Sequence, residues 1–213
     1  SEKIEELVMG FESTVNLSTR LIEQRVIPGG MDAETERYLL QSLRTNPVQS
    51  AAYLGFGNGE FLMVSRDATT PGYAYRVKQV RTQGGARTVT LRWFDESLTS
   101  GVTTTDPTDT FDPRSRPWYR AAIAQTAVVW TDPYVFFSSR QPGLTVARQT
   151  ASSDGVARVF GADFSVEKLG EFARAIRVGP RGATLIVAGD GSVIAAPGLA
   201  SKITVDGKGQ PVL

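Results

Sequence analysis

The stretch "FDPRSRPWYRAA", residues 111–122, sets two arginines, two prolines and an adjacent Trp-Tyr pair where a helix is expected to begin. Cations are locally disfavoured at a helix start, whose unpaired N–H groups carry roughly half a positive charge. Arg116, immediately before Pro117, therefore points to a task other than helix stability. Its planar fork of donors suits a carboxylate, reinforced by the free N–H groups of the same turn. Trp118 and Tyr119 supply walls that exclude water and can each donate one hydrogen bond. Tyr134, following Asp132-Pro133, adds another ring with a hydroxyl. In "VARVFGADF", strand alternation puts Asp163 on the face of Ala157, Val159 and Gly161, which is small and apolar. Burying a carboxylate there costs on the order of several kcal/mol unless a cation pairs with it. A ligand ammonium would be such a cation, so Arg116 and Asp163 together suit a zwitterion. The plainer alternative makes Trp118 a core residue and pairs Asp163 with Arg116 inside the protein.

Other constellations read as local structure. Gly55, Gly57 and Gly59 lie on an expected hairpin with no following helix, which argues for a turn over a phosphate cradle. Asp106, Asp109 and Asp112 recur at every third residue, unlike the alternate spacing of an EF-hand, and read as turn formers without metal. Ser138, Ser139 and Arg140 read as a solvated turn that could border a pocket. The chain has no Cys and no His, which removes disulfides, the usual zinc ligand sets, thiol nucleophiles and an imidazole base. A hydrolase resting on Asp132 and Asp163 survives as a rival, distinguished by turnover and a pH-rate profile. No cofactor is implied. A formal charge of +1, with the arginines spread along the chain, gives no nucleic-acid footprint.

The elements that must position these residues follow from periodicity. A length of 213 residues allows one large domain, or one domain and part of another. Ile4, Leu7, Val8, Phe11, Val15, Ile22 and Val26 describe a single amphipathic helix over 3–27, ending before Pro28-Gly29-Gly30. It lacks a convincing cap, as expected of a helix continuing from upstream. A second helix runs from an Asp32 N-cap to Asn46-Pro47. The period then falls to two: "VQSAAYLGF" and "EFLMVSRD" turn at Asn58-Gly59, and "YAYRVKQVR" and "RTVTLRWF" across Gln83-Gly84-Gly85. Residues 99–112, rich in Thr, Asp and Pro, read as a loop. The helix opened by Pro117 should reach about Gln125. Three strands follow, "VVWTDPYVFFSS", "GLTVARQT" and "GVARVFGADFS", with turns at Gln141-Pro142-Gly143 and Asp154-Gly155. Ser165 caps a further helix, "VEKLGEFARAIRV". "ATLIVAGDGSVIAAPG" forms a hairpin turning at Gly189-Asp190-Gly191, and the rest adds at most one strand.

The order of these elements, with "DPRSRPWYRAA", "WTDPYVFF", "FGADFSVEKLGEF" and "VGPRGATLIVAGDGSVIAAP", resembles an extracytoplasmic double Cache ligand-sensor domain of a bacterial transmembrane receptor. The resemblance covers most of the chain. It implies an α+β fold: a long signalling and dimerisation helix over 1–30, a PAS-like membrane-distal module over 31–178, and a truncated membrane-proximal module over 179–213. It also implies a small-molecule ligand in the distal module, a weak homodimer through the first helix, and a parent chain that spans the inner membrane with this part on the periplasmic side. No catalysis is implied for the fragment. Chemoreceptor, histidine kinase and nucleotide cyclase outputs all use such modules, and "WTDPYVFFSSRQPGLTV" has the character of an adenylate or guanylate cyclase receptor. The amino-acid motif of this family falls on Arg116, Trp118, Tyr119, Tyr134 and Asp163. Phe111 stands where the motif has a Tyr, so a ring is kept and a hydroxyl lost, a change worth about 1.5–3 kcal/mol toward a charged group. The resemblance leaves room for another small organic ligand and for a ligand-independent interaction domain.

Overall fold

The computed structural model describes residues 2–151, 154–175, 185–187, 193–196, 204–205 and 211–212. Helix α1 spans Glu2–Glu23, stopping short of the expected residue 27; turns follow, with Arg25 in the left-handed region at φ 57°. Its inner stripe is Phe11, Val15, Ser18, Thr19 and Ile22, all buried. Helix α2, Ala33–Thr45, starts as its sequence requires, the Asp32 carboxylate accepting from the Thr35 N–H at 2.8 Å. Glu36, in its first turn, is buried and takes hydrogen bonds from Arg92 and Gln79, tying the helix to the sheet behind it.

That sheet is antiparallel and nine-stranded. In chain order its strands are β1 (Ala51–Phe56), β2 (Phe61–Arg66), β3 (Tyr75–Gln83), β4 (Ala86–Phe94), β5 (Ser100–Thr105), β6 (Val129–Trp130), β7 (Tyr134–Val135), β8 (Pro142–Thr150) and β9 (Arg158–Ser165). Their spatial order is β5-β4-β3-β2-β1-β9-β8-β6, with β7 also on β8. Both expected hairpins form, β1 with β2 and β3 with β4.

Several expectations are corrected. Residues 100–105 are the edge strand β5, not loop, because hydrogen bonds to β4 organise a Thr-rich segment whose side chains are all exposed and carry no burial period. The single strand expected from "VVWTDPYVFFSS" is broken into β6 and β7 around Asp132-Pro133, since proline cannot donate to a ladder. Pro142 and Gly143, expected in a turn, open β8.

The two faces of the sheet differ. Ala52, Leu54, Leu62, Val64, Val146, Phe160 and Phe164 pack under α1 and α2 in the main core, where Phe11 stacks on Phe164 at 3.6 Å. The opposite face presents Tyr53, Phe61, Met63, Val80, Ala147 and Val159 to a second cluster. A short 3-10 turn, Pro113–Ser115, and helix α3, Pro117–Ile123, cover it; α3 ends before the expected Gln125.

Ser165 Oγ accepts from Lys168 N at 3.2 Å and starts α4, Val166–Ala175; the expected end of this helix lies outside the described residues. Strands β10 (Ile186–Val187) and β11 (Val193–Ala195) pair as the expected hairpin, whose turn also lies outside them. Beyond it, β12 (Thr204–Val205) and β13 (Pro211–Val212) pair with each other, where at most one strand was expected. Ile186 and Ala195 join the main core. Among the described residues no helix is long and apolar enough to cross a membrane.

Candidate functional site

Asp163 lies on β9 opposite Ala51 on β1 and Thr145 on β8, directed into the second cluster and only 6% exposed. Its Oδ1 accepts from the Tyr53 hydroxyl at 2.5 Å and from Thr145 Oγ1 at 2.6 Å, and Tyr134 Oη meets the same Thr145 Oγ1 at 2.7 Å. Tyr53 reaches this position because residue 161 is glycine: a Cβ there would sit 2.2 Å from the Tyr53 ring. Gly55 does the same for Trp118, whose Cη2 would lie 2.6 Å from an added Cβ. Gly161 on β9 and Gly55 on β1 thus each provide flat backbone for an aromatic ring.

Burial pushes the Asp163 carboxyl up to about 7, against the opposing pull of the Thr145 and Tyr53 hydrogen bonds and of the Arg116 charge. Burial, with the neighbouring Asp163 charge, raises both the Tyr53 and Tyr134 phenols, so these remain neutral donors. Oδ2 of Asp163 takes none of the hydroxyl bonds.

Arg116 approaches from the other side. It precedes α3 without making a side-chain cap, donates to the Val135 carbonyl at 3.4 Å, and lies 5.7 Å from the Tyr134 ring centre and 5.9 Å from that of Phe137. Among the described residues it forms no ion pair with Asp163. With only seven residues, α3 offers little dipole, so the guanidinium and not the helix start provides the positive charge.

Arg116, Asp163, Tyr134, Trp118 and Phe111 all line one aromatic chamber, together with Tyr53 and Phe61. Tyr119 does not line it: it stands edge-on to Trp118, rings 5.6 Å apart, as a supporting residue behind the wall. The chamber measures about 30 Å³, enough for a couple of water molecules. Through Met63, Phe136, Ser138 and Asp163 it adjoins a larger cavity of about 300 Å³, which Ser139 also lines. Ser138 and Ser139 thus border the site, while Arg140 stacks at 5.1 Å over Phe137.

Sequence reasoning missed Tyr53, Thr145 and Lys78. Lys78 is 2% exposed, pairs with Asp109 at 2.5 Å and lies 4.6 Å over the Phe111 ring, so Asp109 anchors the Phe111 segment to the sheet. Burial lowers the Lys78 ammonium, and the hydrogen bond to Asp109 works against that shift. Alternation gives the face of Tyr53 and Thr145, but only strand register puts them beside Asp163. A glycine two residues before a buried acid was the available hint of a ring lying there.

No family model matches the chain. The methyl-accepting chemotaxis protein PscA of Pseudomonas syringae pv. tomato is 30% identical over 87 residues, 41% of this chain and 14% of that protein. Adenylate cyclase 1 of Rhizobium meliloti is 26% identical over 144 residues, 63% of this chain and 21% of that protein. The chain therefore spans a small part of the length of these relatives. Among solved structures, the ligand-binding domain of the Campylobacter jejuni chemoreceptor Tlp3 in complex with 4-methylisoleucine aligns at TM-score 0.60 and 15% identity, over 92% of this chain and 64% of that one. The ligand-binding domain of the Pseudomonas fluorescens chemoreceptor CtaA in complex with L-serine aligns at TM-score 0.60 and 24% identity, over 93% and 68%. These likenesses establish a shared fold.

Proposed function

We propose that this chain, which has the α+β fold of Cache-type chemoreceptor ligand-binding domains, is the extracytoplasmic sensor of a membrane receptor and binds a small molecule carrying both an amine and a carboxylate. One observation carries the reading. A buried carboxylate and a guanidinium line the same aromatic chamber, and each lacks the other as an ion-pair partner. The ligand ammonium docks at Asp163 and its carboxylate at Arg116, while Trp118, Tyr134 and Phe111 exclude water and strengthen both contacts. The chamber at its present size must widen to admit them. The wall formed by Tyr134, Phe136, Phe137 and Ser138 belongs to a segment that carries only the two-residue strands β6 and β7, the kind of lightly held element that moves on binding. The complexes of related folds with amino acids support this assignment.

Relatives of unlike output, chemotaxis proteins and an adenylate cyclase, share the similarity, which supports a sensor whose catalytic or signalling partner lies outside these residues. Binding without turnover is the expected behaviour. The test is a melting screen of the twenty amino acids, simple amines and small carboxylates, repeated on Arg116→Ala and Asp163→Ala. At least one amino acid should raise the melting temperature of the parent and leave both variants unmoved. Equal stabilisation of all three proteins would remove the clamp.

A further inference from the structure

Among the described residues, the larger cavity contains a cation without a partner, Arg76. Apart from Asp163, the cavity's other charged groups are committed. Arg66 donates Nε to the Gln49 carbonyl and Nη2 to those of Leu43 and Asn46. Asp67 accepts from Thr69, Thr70 and the Trp93 indole, which hold its carboxyl low although burial raises it. Lys168 pairs with Glu171 at 2.8 Å, and Glu167 takes a bond from Gln141. Arg76 lines the same cavity, half-buried, yet among the described residues its guanidinium makes neither a hydrogen bond nor an ion pair. Its Nε is buried with no acceptor, as are those of Arg92 and Arg158, but those two guanidinium groups pair with Glu36 and Asp154, which leaves Arg76 as the position whose charge folding does not account for.

Strand register shows what Arg76 is placed to meet. On β3 it stands opposite Ser65, Ser65 on β2 stands opposite Ala51, and Ala51 on β1 stands opposite Asp163. All four line the cavity, with the two small residues as a trough between the charged ones. Three strand spacings of ~4.8 Å separate the α-carbons of Arg76 and Asp163 by about 14 Å. The long arginine side chain and the aspartate close much of that distance, leaving a span suited to a short chain with an amine at one end and an anion at the other.

We propose that Arg76 sets the specificity of the site by receiving the side-chain carboxylate of an acidic amino acid whose ammonium sits at Asp163 and whose α-carboxylate sits at Arg116. The inference rests on the amino-acid reading above and narrows it. An apolar side chain in this trough would cover the half-buried guanidinium without pairing it, so the site discriminates by penalty as well as by attraction.

Titration calorimetry with L-glutamate, L-aspartate, L-glutamine, L-asparagine, L-alanine and L-leucine on the parent, Arg76→Gln and Arg76→Lys tests it. The parent should bind one of the two acids at least about tenfold tighter than the corresponding amide, the discrimination expected of a charge-assisted bond. Arg76→Gln should lose at least about tenfold for the acid with amide affinity nearly unchanged, and Arg76→Lys should fall between, since an ammonium cannot make the two-pronged contact. Tighter binding of neutral amino acids by the parent, or an acid affinity untouched by Arg76→Gln, overturns this inference and leaves the amino-acid reading standing. Absence of amino-acid binding by the parent overturns both. If Arg76→Gln does not melt cooperatively, the acid-to-amide ratio of the parent and the Arg76→Lys result decide.

Discussion

Asp163 stores an electrostatic cost that a ligand can relieve, and this cost has a pH signature. Its carboxyl sits at about 7 in the folded chain, against about 3.9 for an unperturbed aspartate. Between those values the folded state retains a proton that the unfolded state has lost. The contribution is therefore fully present below about pH 3.9 and is lost progressively as pH rises from there through about 7, a change on the order of a few kcal/mol. Asp163→Asn keeps an oxygen to accept from Tyr53 and Thr145 and removes the titration. Melting curves of the ligand-free proteins between pH 5 and 8.5 should show the parent losing stability up to about pH 7 and levelling off above it while the variant stays level throughout, with the variant the more stable at pH 8. Parallel profiles would mean that Asp163 is solvated or paired in another way. An amine ligand, by contrast, needs the ionised form, so its affinity should rise toward pH 7 and level off above it.

At the scale of elements, the site depends on how α2 and the sheet are fixed to one another. Asp32 accepts from Thr35 N and Thr35 Oγ1, and Thr35 Oγ1 in turn accepts from the N–H groups of Gly29 and Gly30, so one capping cluster closes the connection from α1. Asp32→Ala should cost about 1 kcal/mol, the ordinary value of an N-cap. For a chain of this size that corresponds to about 2–4 °C in melting temperature. Amino-acid binding should be unchanged, because α2 lies on the face of the sheet opposite the chamber. A calorimetric scan of the variant gives the first quantity and a titration the second; a loss of binding without a loss of stability would place α2 in the site. The edge strand β5 illustrates the opposite case, a segment defined by its backbone ladder and by none of its side chains.

At the scale of the molecule, α1 buries one stripe on the sheet and leaves Met9 and Leu17 exposed, with Val26 exposed just beyond its end. We propose that this surface meets a second copy and that ligand binding shifts the balance between two arrangements of the paired helices, by no more than the ligand's differential affinity for them. Sedimentation at high concentration should show a dimer that Leu17→Glu dissolves. Monomer at every concentration would confine α1 to covering its own core. We further propose the division of the chain into a helix over 1–30, a sensor module over 31–178 and a second unit over 179–213. The packing of α4 on β11, with Ile186 and Ala195 in the main core, fits a second module that leans on the first.

The amino-acid sequence by itself determined the helices, both central hairpins, the face of β9 that carries Asp163, and the choice of Arg116, Trp118 and Tyr134 as chamber residues. Each of these follows from local quantities: hydrophobic period, capping and turn chemistry, and the cost of burying a charge. Tertiary structure alone decided the register that sets Tyr53 and Thr145 beside Asp163, the placing of Tyr119 behind the wall, the pairing of the exposed β5, and the alignment of Arg76 with Asp163 across β1 and β2. The physical reason is that alternation fixes which side of a sheet a residue faces, whereas its neighbour on that side comes from a strand up to 110 residues away, and nothing in a single strand encodes that partner.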